Sequence, residues 1–181
     1  MLDSLKFCFC TLLLVVLSFS ISAQSQTATQ ANAPIQNAKF KKVVERALSL
    51  KVDTISVQVL RNLERPYVLL DTREEEEYNV SHLENALFLS YDDPDYSILN
   101  NVPKDTEIIL YCSIGYRSEK MGKKLEKKGY TNVKNVYGSI FEWANRGYPL
   151  VDGQNNKTNV VHGYNKRWSK CVTNPDMEVT Y

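Results

Sequence analysis

A chain of 181 residues has room for one ordinary domain and short extensions but hardly for a second independent core. Apolar residues at 43% and charged residues at 24% exclude a wholly disordered or fibrous chain. The 22 basic and 21 acidic side chains leave a net charge of +1, so no global field gathers nucleic acid or anionic lipid, and any anion must be held locally.

At the amino terminus, Lys6 precedes an uncharged, apolar stretch over residues 7–21, and Ser22-Ala23-Gln24 offers small residues for cleavage. This is the pattern of a secretory signal peptide over residues 1–23, and it predicts an exported protein, periplasmic or secreted, with no membrane attachment after cleavage. The apolar run of about 15 residues is shorter than the roughly 20 that a spanning helix needs; an uncleaved anchor is the alternative. Cys8 and Cys10 would leave with the signal, so the mature chain keeps Cys112 and Cys171, too few for a disulfide scaffold. Residues 24–38 are small and polar and carry no charge, which predicts a flexible linker.

Over residues 39–52, Phe40, Val43, Val44, Ala47 and Leu48 recur at i, i+3, i+4, i+7 and i+8, which predicts an amphipathic helix docked by its apolar side. Beyond it, short apolar runs at 67–70, 86–89, 107–111 and 133–137 alternate with helix-compatible stretches at 56–63, 74–78, 94–99, 118–128 and 139–145. Such alternation predicts an α/β domain over 53–151 built on buried parallel strands. Ligands of open α/β sheets bind beyond the carboxyl ends of the strands, and Cys112 stands at such an end. The lysines at 120, 123, 124, 127 and 128 alternate with Met121 and Leu125, so they read as a solvated helix face rather than a nucleic-acid patch.

The segment from Ile108 to Ser118 reads as a buried strand, a tight loop Cys112-Ser113-Ile114-Gly115-Tyr116-Arg117 and a helix start. A loop of this kind turns backbone N–H groups inward, and the helix adds its partial positive charge, so the cradle binds anions and favours a charged sulfur. Gly115 lets the backbone curl without a Cβ. Ser118 is placed to cap the helix or to donate a hydroxyl hydrogen bond to the sulfur.

In these residues the sequence resembles the rhodanese family, over about 53–150. Leu69-Leu70-Asp71-Thr72-Arg73-Glu74, then Glu77-Tyr78, His82-Leu83 and Ala86, look like that family's D-x-R…E-[FY]…G-H-I-x-G-A region. Residues 111–118 fit its C-x-x-G-x-R-S loop, and Gly138-Ser139-Ile140, Trp143 and Gly147-Tyr148-Pro149 fit its closing block. Ser81 and Asn85 depart from it, each standing where the family has Gly. The resemblance implies a central, mostly parallel five-stranded sheet flanked by helices on both faces. It also implies that Cys plus four residues plus Arg closes around one sulfur atom, whereas related phosphatases use one more residue.

On this resemblance the chain is expected to be a sulfurtransferase needing no cofactor. The Cys112 thiolate takes sulfane sulfur from a small anionic donor such as thiosulfate, and a thiol or cyanide then removes it. Arg117 steers the donor and stabilises departing sulfite, while Ser113, Ile114, Gly115, Tyr116 and Ser118 surround the sulfur. A noncatalytic or redox module that carries persulfide to another exported protein is the rival reading; such modules typically lack the cysteine.

Other candidates weigh toward structure. Asp71 and Arg73 read as an ion pair orienting the loops, and His82 as a backbone-bonded turn residue. The four acids from Glu74 to Glu77 read as a solvated helix start, and Trp143 as core. His162 and Cys171 lack the second ligand pair of a metal site, so no metal is expected. The extension over 152–181 holds Val160-Val161-His162-Gly163-Tyr164 and Trp168, too apolar for a free linker, so part of it should dock on the domain; within it, Cys171 is a possible redox partner for Cys112.

Overall fold

The structure, a computed structural model, describes residues 35–181; the signal peptide predicted over 1–23 and the linker residues 24–34 lie outside the described residues. Helix α1 (Ala38–Ala47) leads into β1 (Asp53–Ser56), α2 (Val57–Arg61), β2 (Val68–Asp71), α3 (Glu75–Val80) and β3 (Leu87–Phe88). After a 3₁₀ turn at Tyr96–Leu99 come β4 (Ile108–Tyr111), α4 (Tyr116–Lys127), β5 (Val133–Tyr137) and α5 (Ser139–Asn145). The five strands form one sheet in the order β1-β5-β4-β2-β3, every neighbouring pair parallel.

The strands are apolar on both faces because both are covered, as the near-continuous apolar runs require. Leu69, Ile109, Tyr111 and Val136 meet Phe40 and Val44 of α1, Val57 and Leu60 of α2, and Ile140 and Phe141 of α5. The alternate residues Leu70, Ile108, Leu110 and Val133 meet Met121 and Leu125 of α4 together with Leu89 and Leu99. Alternation along β2 and β4 thus assigns each side chain to one of two cores.

Three boundaries differ from the sequence reading. The predicted linker ends too late: Ile35 is buried in the α1 core, Gln36 N–H donates to Glu142 Oε1 at 3.3 Å, and Asn37 caps α1 through its side chain. The first helix stops at Ala47 rather than 52, because the Glu119 carboxylate takes the N–H groups of Ser49 (2.9 Å) and Lys51 (2.8 Å) that a continuing helix would have used. The run at 86–89 gives only a two-residue strand at the sheet edge.

The segment after α5 is built onto the domain. Strands β6 (Leu150–Val151) and β7 (Lys157–Thr158) pair antiparallel, and β8 (Val160–His162) pairs parallel with β9 (Glu178–Thr180). Val161 is fully buried in the α1 core, and β8 lies against α3. Asn145 at the end of α5 clamps the tail, donating to the Cys171 carbonyl at 2.9 Å and accepting from Thr173 N–H at 2.6 Å.

Candidate active site

At the carboxyl end of β4 the chain turns through Cys112 to Gly115 and enters α4 at Tyr116. Gly115 is the N-cap with φ +114°, a conformation L side chains rarely adopt, and a Cβ there would meet Leu48 at 3.2 Å. Its N–H donates to Cys112 Sγ at 3.2 Å. Gly115 directly precedes a twelve-residue helix, whose amino end carries N–H groups without intrahelical partners and a partial positive charge.

The back of the loop is fixed by α5 and β5. Ser139 Oγ accepts from Cys112 N–H, and the N–H groups of Ile140 and Phe141 donate to the carbonyls of Cys112 and Ser113, all at 3.2 Å. Asn135 Nδ2 donates to the Gly115 carbonyl at 3.0 Å. Ser118 does not serve the sulfur as expected: α4 starts two residues earlier than predicted, so its hydroxyl is buried toward β5 and donates to Asn135 Oδ1 at 2.7 Å.

The reading of Glu74 to Glu77 as a uniformly solvated face fails at Glu77, whose side chain is 3% exposed. The Arg117 guanidinium grips it with two hydrogen bonds of 2.6 and 2.7 Å, and Ser113 Oγ donates to the same carboxylate at 3.0 Å. Glu77 also reaches back to the Glu74 N–H at 3.1 Å in a capping box. Burial pushes its carboxyl up, but the bonds and charge of Arg117, then the charge of Arg73, outweigh this and hold it below the usual carboxylate range. Arg117 itself, disfavoured by burial, is held above its ordinary range by Glu77. Arg117 therefore comes to the site as half of an ion pair, not as a free cation. Its partner 40 residues upstream was legible only in the Glu77-Tyr78 block of the family resemblance.

Asp71 and Arg73 form a fully buried pair, with bonds of 2.9 Å from Nε and 2.6 Å from Nη2. Arg73 Nη2 also donates to the Ser81 carbonyl at 2.5 Å, tying the end of β2 to the turn after α3. His82 stacks on Tyr78 with ring centroids 3.8 Å apart, places Nδ1 3.0 Å from the Tyr78 carbonyl, and pairs through its backbone with Val151. None of these three lines the cleft over Cys112.

That cleft has a volume of about 600 Å³. Cys112, Ser113, Ile114 and Arg117 form its floor; Glu74, Tyr91, Asp92 and Tyr116, together with Arg46 and Ala47 of α1 and Tyr164 and Trp168 of the tail, form its wall. Sequence reasoning missed Arg46, Tyr91, Tyr164 and Trp168, which carry no local motif. Cys171 is not among the lining residues; it borders a neighbouring hollow of about 280 Å³ with Val43, Arg46, Ala47 and Trp168. Both cysteines are free thiols, and burial pushes the Cys171 thiol up. Among the described residues no group of three or more His, Cys, Asp or Glu gathers as metal ligands, and no helix is long and apolar enough to cross a membrane.

A parallel five-stranded α/β sheet presenting a cysteine in an amide-lined loop at a strand's carboxyl end defines the class. Residues 56–146 match the family described as rhodanese-like domain, and the chain belongs to that family. It is 32% identical over 52% of its length to the adenylyltransferase and sulfurtransferase uba4 of Ogataea parapolymorpha, covering 24% of that protein. It is 36% identical over 44% of its length to the tRNA uridine(34) hydroxylase of Erwinia tasmaniensis, again covering 24%. Among solved structures, the thiosulfate sulfurtransferase of Pseudomonas aeruginosa superposes with a TM-score of 0.51 at 26% identity, over 56% of this chain and 20% of that one. The chain thus spans about a quarter of the length of these curated relatives.

Proposed function

We propose that this protein is a sulfurtransferase that carries sulfane sulfur as a persulfide on Cys112, acting outside the cytoplasm. The observation that supports it most is the Gly115 N–H directed at Cys112 Sγ, 3.2 Å away, beneath an open cleft and beside the amino end of α4. Export rests on the charge-free apolar stretch over residues 7–21 followed by Ser22-Ala23-Gln24.

In the first step the Cys112 thiolate attacks the outer sulfur of thiosulfate. A bond forms from Sγ to that sulfur, the sulfur–sulfur bond of the donor breaks, and its electron pair leaves with sulfite. The loop amides and the helix terminus stabilise the negative charge that then rests on the outer sulfur. Arg117, fixed in direction by Glu77, offers its remaining N–H edge to sulfite oxygens. In the second step an acceptor thiolate or cyanide attacks the outer sulfur and returns Cys112 to the thiolate. The presence of both Cys112 and Arg117 supports this over a noncatalytic carrier.

Incubation with thiosulfate should add about 32 Da to the Cys112 peptide, the mass of one sulfur on the nucleophile. The Cys112→Ser variant should fold and gain nothing; thiosulfate-dependent thiocyanate formation by that variant would end the assignment.

A further inference from the structure

Part of the cleft wall comes from outside the segment that matches the family. Ala47 precedes residue 56, while Tyr164 and Trp168 follow residue 146. Tyr164 is held with φ +66°, which a bulky aromatic residue seldom adopts, and its N–H donates to His162 Nδ1 at 3.1 Å. The preceding Gly163 is wedged so tightly that a Cβ would lie 2.7 Å from Ser169 and Val179 side chains, and its N–H donates to the Thr180 carbonyl at 2.7 Å. Backbone strain of this kind persists where the surroundings fix it, and it gathers at functional sites. Here it sets the Tyr164 ring 5.1 Å from the Arg117 guanidinium while leaving the residue 49% exposed.

Charge and shape then restrict what the cleft accepts. Arg117 is neutralised by Glu77, and the lining also holds the acids Glu74 and Asp92 and the base Arg46. The remaining N–H edge of Arg117 serves the small donor anion at the floor, and elsewhere in the lining Arg46 is offset by Glu74 and Asp92, so no surplus cation there favours a second anionic group. The cleft surface is mainly apolar, from Ala47, Ile114, Tyr116, Tyr164 and Trp168, and its volume suits an organic molecule rather than cyanide.

We infer that the acceptor of the persulfide sulfur is an organic thiol with an apolar or aromatic body and no negative charge, seated against Tyr164 and Trp168; this rests on the sulfurtransferase reading. The thiol loses its proton to solvent, and its thiolate sulfur attacks the outer sulfur of the Cys112 persulfide. The new sulfur–sulfur bond forms as the bond to Sγ breaks, and Cys112 regains its electron pair. An organic hydropersulfide anion departs, with no external oxidant or reductant.

The test uses the full chain loaded with thiosulfate and follows loss of the added sulfur mass with 2-phenylethanethiol and with 2-mercaptoethanesulfonate. Each rate is normalised to that thiol's reaction with free cysteine persulfide. The phenyl thiol should win by about tenfold or more in kcat/KM, as burial of most of one ring implies. Tyr164→Phe should keep the preference and Tyr164→Ala should bring it near parity, with circular dichroism verifying the fold of both. A ratio near one in the native protein, or an undiminished ratio in Tyr164→Ala, overturns the inference while sulfur transfer stands. If Cys112 takes up no sulfur at all, both readings fall.

Discussion

Replacing Glu77 by Gln isolates the ion pair that the cleft floor depends on. The substitution preserves shape but removes the charge facing Arg117 and turns one acceptor oxygen into a donor aimed at other donors. Arg117 is 15% exposed, so it cannot simply return to water, and its next acidic neighbour is Glu74 Oε1 at 4.0 Å. Breaking a fully buried pair costs about 3–5 kcal/mol. Partial exposure and the nearby Glu74 place this case near the lower end, at about 3 kcal/mol. For a domain of about 150 residues that corresponds to a fall in Tm of roughly 6–12 °C. The assay is thermal unfolding by circular dichroism across pH. Because the folded state depresses the Glu77 carboxyl below its usual 4.5, the pair's contribution is complete above that pH and fades as pH falls through the folded value. Native protein and Glu77→Gln should therefore differ most at neutral pH and converge in acid. A Tm loss under about 2 °C at pH 7, or parallel curves down to acid, would refute the argument.

Asp71→Asn should cost about 3–5 kcal/mol, because it strands a fully buried Arg73; urea unfolding measures it, and a change below about 1 kcal/mol contradicts the burial argument. Gly115→Ala should cost about 1–3 kcal/mol through the φ of +114° and the contact with Leu48, and should slow thiosulfate loading of Cys112 at least about tenfold, read by stopped-time mass spectrometry. Unchanged loading would mean that the Gly115 amide does not serve the sulfur. Below about pH 4.5 the native protein should lose stability steeply, since Glu77, Glu107 and Glu119 are all depressed in the fold and give up their contribution as they protonate. Glu142, raised by burial, works in the opposite sense, so Glu142→Gln should leave the acid limb in place while changing the neutral plateau.

The alternation of apolar runs and helical stretches was enough to define an α/β domain, and the motif around Cys112 was enough to place that cysteine in a loop between strand and helix, because both are patterns among neighbours in the chain. Strand β4 and helix α4 flank the loop in sequence, so the cradle is a local structure. Helix α5 lies where periodicity put it, at Ser139–Asn145. The partner of Arg117 was a different matter. Glu77 sits in an acidic run whose bland explanation is a solvated helix start, and only the packing of α3 beside the loop buries Glu77, half-buries Glu74 and leaves Glu75 and Glu76 exposed.

Composition likewise misjudged residues 35–38, where a single apolar side chain, Ile35, docks beside Gly138 and draws the small, polar linker end onto the domain. By itself the sequence determined the α/β alternation, the family and the loop that holds Cys112, since those follow from spacing along the chain. The tertiary structure decided that Arg117 is neutralised, that Ser118 turns away from the sulfur, and that α1 and the tail wall the cleft. Those outcomes depend on contacts between residues tens of positions apart, whose energies come from shared burial and leave no periodic trace in the segments that meet.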